Sequence, residues 1–154
     1  MAGYSGPPER QDTDVIGSRV GAQIIDLLLI GFISFITIFI FAGIGAAAGG
    51  SESAIAGLFT GIGLLIATAA LVGYSFILEA IWDGQTIGKR ILGIKVVQED
   101  GETLDTVSAL IRNLPGVAAY SWIAYLVALL SMAASDRRQR LFDRLAGTVV
   151  VREE

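Results

Sequence analysis

Residues 19–43 read RVGAQIIDLLLIGFISFITIFIFAG. Between Arg19 and Glu52 the chain carries one charge, Asp26. The 24 residues Val20–Gly43, wound as helix, cover about 36 Å. The hydrocarbon core of a bilayer is about 30 Å thick and is crossed by ~20 apolar residues. Two further charge-free runs lie outward from this one, 26 residues from Ser53 to Leu78 and 23 from Asn113 to Ser135. Each is long enough to span.

Composition agrees. Of the 154 residues 53% are apolar and 17% charged, where an ordinary soluble domain has roughly 25% charged. This excludes a disordered tail and argues against a soluble enzyme. The absence of Cys excludes disulfides, thiol nucleophiles and thiolate metal sites. The absence of His removes the commonest general base and transition-metal ligand. The expectation is an all-α integral membrane protein without catalytic activity, cofactor or bound metal.

Residues 1–15 read as a mobile leader, with Pro7 and Pro8 and too many acids for a signal peptide. Residues 16–152 then form a single membrane domain with apolar helices over about 19–43, 54–82 and 114–134. The Gly/Ala/Ser-rich stretch 42–53 reads as the turn of a helical hairpin. Trp82 stands where an interfacial aromatic is expected. Gly84 and Gly88 break the helix, Leu92–Gln98 reads as a strand, and Asp105 caps a short helix over Thr106–Asn113. Ser135 or Asp136 caps a basic helix to Ala146, with Gly147 as its stop. Thr148–Val151 reads as a second strand, so that GIKVV and GTVVV make a small cytoplasmic β-pair.

Lys and Arg set the orientation. Arg10 and Arg19 precede the hairpin, Lys89, Arg90, Lys95 and Arg112 follow it, and the turn has none. The N-terminus is therefore expected in the cytoplasm of a multi-pass protein of the cell membrane. The third stretch poses a conflict. If 113–135 spans, Arg137, Arg138, Arg140, Arg144 and Arg152 lie outside and the two strands are separated. A re-entrant helix, allowed by Pro115 and Gly116, removes both problems. Both readings stand at this point.

The polar residues inside the apolar runs need partners. A carboxylate at mid-bilayer costs roughly 2.5–3.5 kcal/mol on insertion scales. At 100° per residue Arg19, Gln23, Asp26 and Thr37 share a narrow sector of the first helix, with Ser34 at its edge. This polar seam is either packing glue, an ion or proton relay, or a binding site. Glu79 is expected to snorkel to the interface; the alternative is a second acid facing Asp26. Asp143 in RQRLFDRLAGTVV is either a surface pair with Arg140 or a partner of Arg19 or Arg90 that pins the tail. Arg137, Arg138, Arg140 and Arg144 form a run suited to anionic lipid headgroups. A net charge of −4 argues against nucleic acid. The spacings Gly17–Gly21 and Gly57–Gly61 permit close helix approach. Thr86-Ile87-Gly88-Lys89 lacks the pattern of a phosphate loop.

Taken in order, GSRVGAQIIDLLL with Arg19 and Asp26, DGQTIGKRILGIKVVQEDG, Arg112-Asn113 and FDRLAGTVVV with Asp143 resemble the RDD family of membrane proteins, named for one Arg and two Asp. The resemblance covers about residues 16–152. Phe142 stands where many relatives carry His. The resemblance implies a transport role only loosely, with sodium/proton exchange associated with some relatives, and it raises the weight of Asp143.

Two functions follow as expectations. One is transport of a small ligand, or exchange of a cation for protons, in which Arg19, Gln23, Asp26, Glu79 and Asp143 form the relay. The other is a non-catalytic membrane scaffold, accessory or lipid-binding subunit. The bilayer and a homo-oligomeric or membrane protein partner are the expected partners. Two Lys against nine Arg, with fifteen acids against eleven bases, suggest a halophile.

Overall fold

The computed structural model describes residues 6–114 and 122–153. Helix α1 covers Ile16–Gly49 and helix α2 Ala54–Ile81, followed by α3 (Ile87–Ile91), β1 (Ile94–Gln98), α4 (Thr106–Asn113), α5 (Trp122–Ala134), α6 (Leu141–Leu145) and β2 (Thr148–Arg152). The chain forms two compact units. One joins the residues up to Asp26 with those from Ser75 onward, and the other is Leu27–Tyr74.

The Leu27–Tyr74 unit is a helical hairpin. Its α1 part runs six residues beyond the expected end at Gly43. Ala46–Ala48 are strong helix formers, and the stop is Gly50, whose φ of 85° admits the left-handed turn. Ser53 caps α2, its Oγ accepting from Ala56 N at 3.1 Å. The two helices approach through Gly45 and Gly63. A Cβ on Gly45 would meet Ala56 Cα at 2.8 Å, and one on Gly63 would meet Phe41 Cβ at 2.8 Å. Gly57 and Gly61, singled out by spacing, face open space instead. Phe32, Phe35, Phe39, Leu58 and Leu65 are all exposed. Only 6% of the most apolar part of α1 and 17% of that of α2 is buried, so neither is the core helix of a soluble protein. Both are long and apolar enough to cross a membrane, and their exposed apolar side chains suit a lipid environment.

In the other unit, β1 and β2 pair antiparallel, with Ile94 opposite Arg152 and Gln98 opposite Thr148. The alternate residues Ile94 and Val96 join Val15, Ala22, Leu104, Ala109 and Val150 in one apolar core, with Phe76 and Ala80 packed against it. Gly84 lies so close to β1 that a Cβ would collide with the carbonyl of Val96, while Val96 N donates to Gly84 O at 3.0 Å. Asp105 caps α4 as expected, accepting from Ser108 N at 2.8 Å.

Two expectations change. The end of the supposed mobile leader is tied down: Thr13 and Val15 are buried, and Asp12 O accepts from Arg152 N at 3.2 Å. The basic helix expected from Ser135 to Ala146 shrinks to α6. Arg138 takes a left-handed φ of 52°, and buried Gln139 donates to Thr148 O at 2.9 Å. In the third apolar stretch the described residues form α5, Trp122–Ala134. Its expected beginning at residues 114–121 lies, from 115 on, outside the described residues.

Candidate functional site: a buried lattice of charges

Asp26 ends the first polar part of α1, and its carboxylate is buried. Thr86, the N-cap of α3, donates its hydroxyl to Asp26 Oδ2 at 2.6 Å, and Gly88 N donates to Oδ1 at 2.7 Å. The approach needs glycine, because a Cβ at position 88 would collide with Ala22 O and stand 3.0 Å from Asp26 Cγ. TIGK is therefore a cradle for a carboxylate, and it presents an N-cap hydroxyl and a backbone N–H to it.

Arg19 lies two turns earlier on the same helix, 3% exposed. It forms an ion pair with Asp143 and donates to Arg138 O at 2.8 Å. Asp143 also accepts from Arg112 Nη2 at 3.0 Å and from Arg140 N at 3.0 Å. Arg112 reaches on to Glu79, with Nη1 3.3 Å from Oε2. Glu79 forms an ion pair with Lys89 and accepts from Asn113 Nδ2 at 2.9 Å. One connected lattice thus runs Arg19–Asp143–Arg112–Glu79–Lys89, built from α1, α2, α3, α4 and α6.

Burial sets the electrostatics, since an unpaired charge here would cost several kcal/mol. Burial alone would raise the Asp143 carboxyl, but Arg19 and Arg112 outweigh it and hold it well below the usual carboxylate range. Burial alone would lower Arg112; Glu79 and Asp143 overcome it and raise the guanidinium. For Lys89 burial prevails over the attraction of Glu79 and pushes the ammonium down to about 8.

Arg19, Gln23, Asp26, Ser75, Glu79, Thr86, Lys89, Arg112, Asn113 and Arg140 line a cavity of about 30 Å³. The expected relay residues Arg19, Gln23, Asp26 and Glu79 thus do converge, with Asp143 directly behind Arg19 and Arg112. Glu79 does not snorkel; it is 2% exposed. Asp143 is no surface pair, and its second cation is Arg112 rather than Arg90, which stacks over Trp82 at 5.4 Å. The seam does not continue as expected: Thr37 bonds back to its own helix at Ile33 O, 2.9 Å away. The arginine run divides. Arg140 joins the cavity, Arg138 pairs with Asp14 at 3.4 Å, Arg137 is half-buried and Arg144 is exposed. Thr86, Gly88, Lys89, Arg112 and Asn113 carry the lattice without having been singled out as site residues. The one signal for them was that TIGK and Arg112-Asn113 lie in the stretches that carry the family resemblance.

This Arg–Asp–Asp constellation accompanies a family match over nearly the whole chain, residues 14–147. The chain belongs to the RDD family. It is 31% identical over 80 residues to the "Uncharacterized protein YckC" of Bacillus subtilis (strain 168), a stretch covering 50% of this chain and 53% of that protein. The chain thus spans about half the length of this curated relative. No solved structure matches it. Family membership and the two apolar helices together mark a membrane protein of the RDD type.

Proposed function

We propose that this RDD protein is a non-catalytic membrane subunit anchored by two crossings, with the charge lattice as the lock that closes its polar unit. The observation that carries the reading is the commitment of all three buried acids. Asp143 serves two guanidiniums and a backbone N–H, Glu79 serves Lys89, Arg112 and Asn113, and Asp26 serves Thr86 and Gly88. Size supports it as well. Small-molecule sites are typically ~300–1,000 Å³, and this cavity is only about 30 Å³. The chain has neither His nor Cys to supply a nucleophile–base pair.

Length supports a bilayer around the Leu27–Tyr74 unit. Leu27–Gly49 gives 23 residues and Ala54–Tyr74 gives 21, each sufficient for the ~20 that a crossing requires. Arg19, Asp26 and Glu79 then belong to the polar unit and not to mid-bilayer. The excess of Lys and Arg on the outer ends of the hairpin supports a cytoplasmic side for that unit and the N-terminus. The pairing of β1 with β2 supports a re-entrant or interfacial α5. A single crossing between the strands would set them on opposite sides. A second copy or a partner helix fits the open face at Gly57 and Gly61. The acidic, Lys-poor composition suits a halophilic source.

Exchange of a cation for a proton is the second reading. It is favoured by Asp26, Glu79 and Lys89 bordering one cavity, with Lys89 releasing its proton near pH 8. Proton flux driven by sodium, potassium or lithium gradients in proteoliposomes separates the two. The subunit reading expects no flux from the wild type in high salt. Flux that disappears in a stably folded Asp26→Asn protein would overturn it in favour of exchange.

A further inference from the structure

The cavity carries an imbalance that the lattice does not resolve. Four cations, Arg19, Lys89, Arg112 and Arg140, line it with two carboxylates, Asp26 and Glu79; Asp143 stands behind, paired with Arg19 and Arg112, so the cluster holds one cation in excess. Two buried nitrogens at the site have neither a hydrogen-bond acceptor nor an ion-pair partner among the described residues: Arg19 Nε and Arg140 Nε. Arg19 and Arg112 are 3% and 8% exposed, too buried for bulk water to serve them. Both orphans are donors, and their arginines line the cavity together with Arg112. The acids that share the wall are turned to other partners: Asp26 to Thr86 and Gly88, Glu79 to Lys89, Arg112 and Asn113.

An occupant must therefore accept several hydrogen bonds, need offer none, and carry about one negative charge. It must also fit a space of about 30 Å³, more than the roughly 10–15 Å³ a cavity needs to hold one water. Water would meet the size but leaves the excess charge uncompensated, which is costly at a buried site. Sulfate, with two negative charges, would overcompensate a single excess cation. We propose that this cavity binds one small monovalent anion, chloride or another halide, held by Arg19, Arg112 and Arg140. The anion completes the lattice as a structural ion, whether or not the protein moves ions across the membrane.

The test is the thermal stability of the purified full-length chain in detergent, in sodium chloride, bromide, gluconate and sulfate at equal ionic strength, so that general screening is held constant. A ligand that binds only the folded state raises Tm in a saturable way. The expected result is a saturable rise with chloride and with bromide over gluconate. General salt effects run the other way, with sulfate stabilising most. Equal Tm in all four salts, or a rise ordered as sulfate over chloride, would overturn the site. Arg140→Gln, which breaks no ion pair of the lattice, is expected to abolish the chloride-dependent rise; its persistence would remove Arg140 from the site. Should that variant not fold, crystals soaked in bromide decide on the wild type. An anomalous peak among the three arginines supports the proposal, and a cavity holding only water overturns it.

Discussion

Arg19 and Asp143 form a buried ion pair across 124 positions of sequence. The pair joins the start of the first apolar helix to the tail, and Arg112 shares the same carboxylate. Removing one partner of a buried pair leaves the other charges unpaired, which costs about 3–5 kcal/mol. Asp143→Asn is thus expected to lower stability in detergent by about that amount, read from denaturant or thermal unfolding. Arg144→Gln, at an exposed position of the same helix, is expected to stay within about 0.5 kcal/mol of wild type. Equal effects of the two substitutions would refute a lattice centred on Asp143.

Gly88→Ala tests the cradle around Asp26. In an exposed helix the change would gain up to ~1 kcal/mol from propensity. Here the new Cβ collides with Ala22 O and crowds Asp26 Cγ, and overpacking typically costs ~1–3 kcal/mol. Net destabilisation is the expected outcome, accompanied by loss of protection of the Gly88 amide in hydrogen exchange. A stabilised Gly88→Ala protein would mean that TIGK and α1 do not meet.

Lys89 gives the lattice an alkaline signature. Its ammonium is lowered from 10.5 to about 8 on folding, so between these values the unfolded chain holds the extra proton. Stability rises with pH wherever the unfolded state binds more protons. The contribution of Lys89 therefore increases from pH 8 to about 10.5. In Lys89→Arg, whose guanidinium stays charged throughout, this slope should vanish when Tm is followed across the window. The acid side has the opposite sign. Asp143 is depressed on folding, so its contribution is full above the unfolded carboxyl value of 3.8 and is lost as pH falls below it.

Much of the architecture is written in local pattern. The apolar runs, the Asp105 cap, Gly147 and the β-pair depend on periodicity and turn chemistry within a few residues. The lattice does not. Arg112 sits on an eight-residue helix whose pattern looks amphipathic and ordinary, yet it bridges Glu79 and Asp143, 33 and 31 positions away. Glu79 read as a snorkelling end group because nothing near it in sequence shows that Lys89 folds back over it. TIGK lacks the pattern of a phosphate loop, yet its small residue and N-cap hydroxyl do receive an anion, the carboxylate of Asp26. Family resemblance singled out Arg19, Asp26 and Asp143, but only packing shows that the first two have different partners.

The antiparallel pairing of β1 with β2 makes a prediction about membrane topology. Gln98 lies opposite Thr148 and Ile94 opposite Arg152, and no bilayer can pass between hydrogen-bonded strands about 5 Å apart. The chain from residue 99 to 147 must then cross an even number of times or not at all. Because the protein contains no cysteine, single cysteines report their side without background. Asp100→Cys and Arg152→Cys are expected to react with a membrane-impermeant maleimide from one face, and Glu52→Cys, in the hairpin turn, from the other. If Arg152→Cys is labelled together with Glu52→Cys, the 113–135 stretch spans, and the strands cannot be paired in the membrane. Labelling of Arg152→Cys with Asp100→Cys instead leaves α5 on the face that carries the charge lattice.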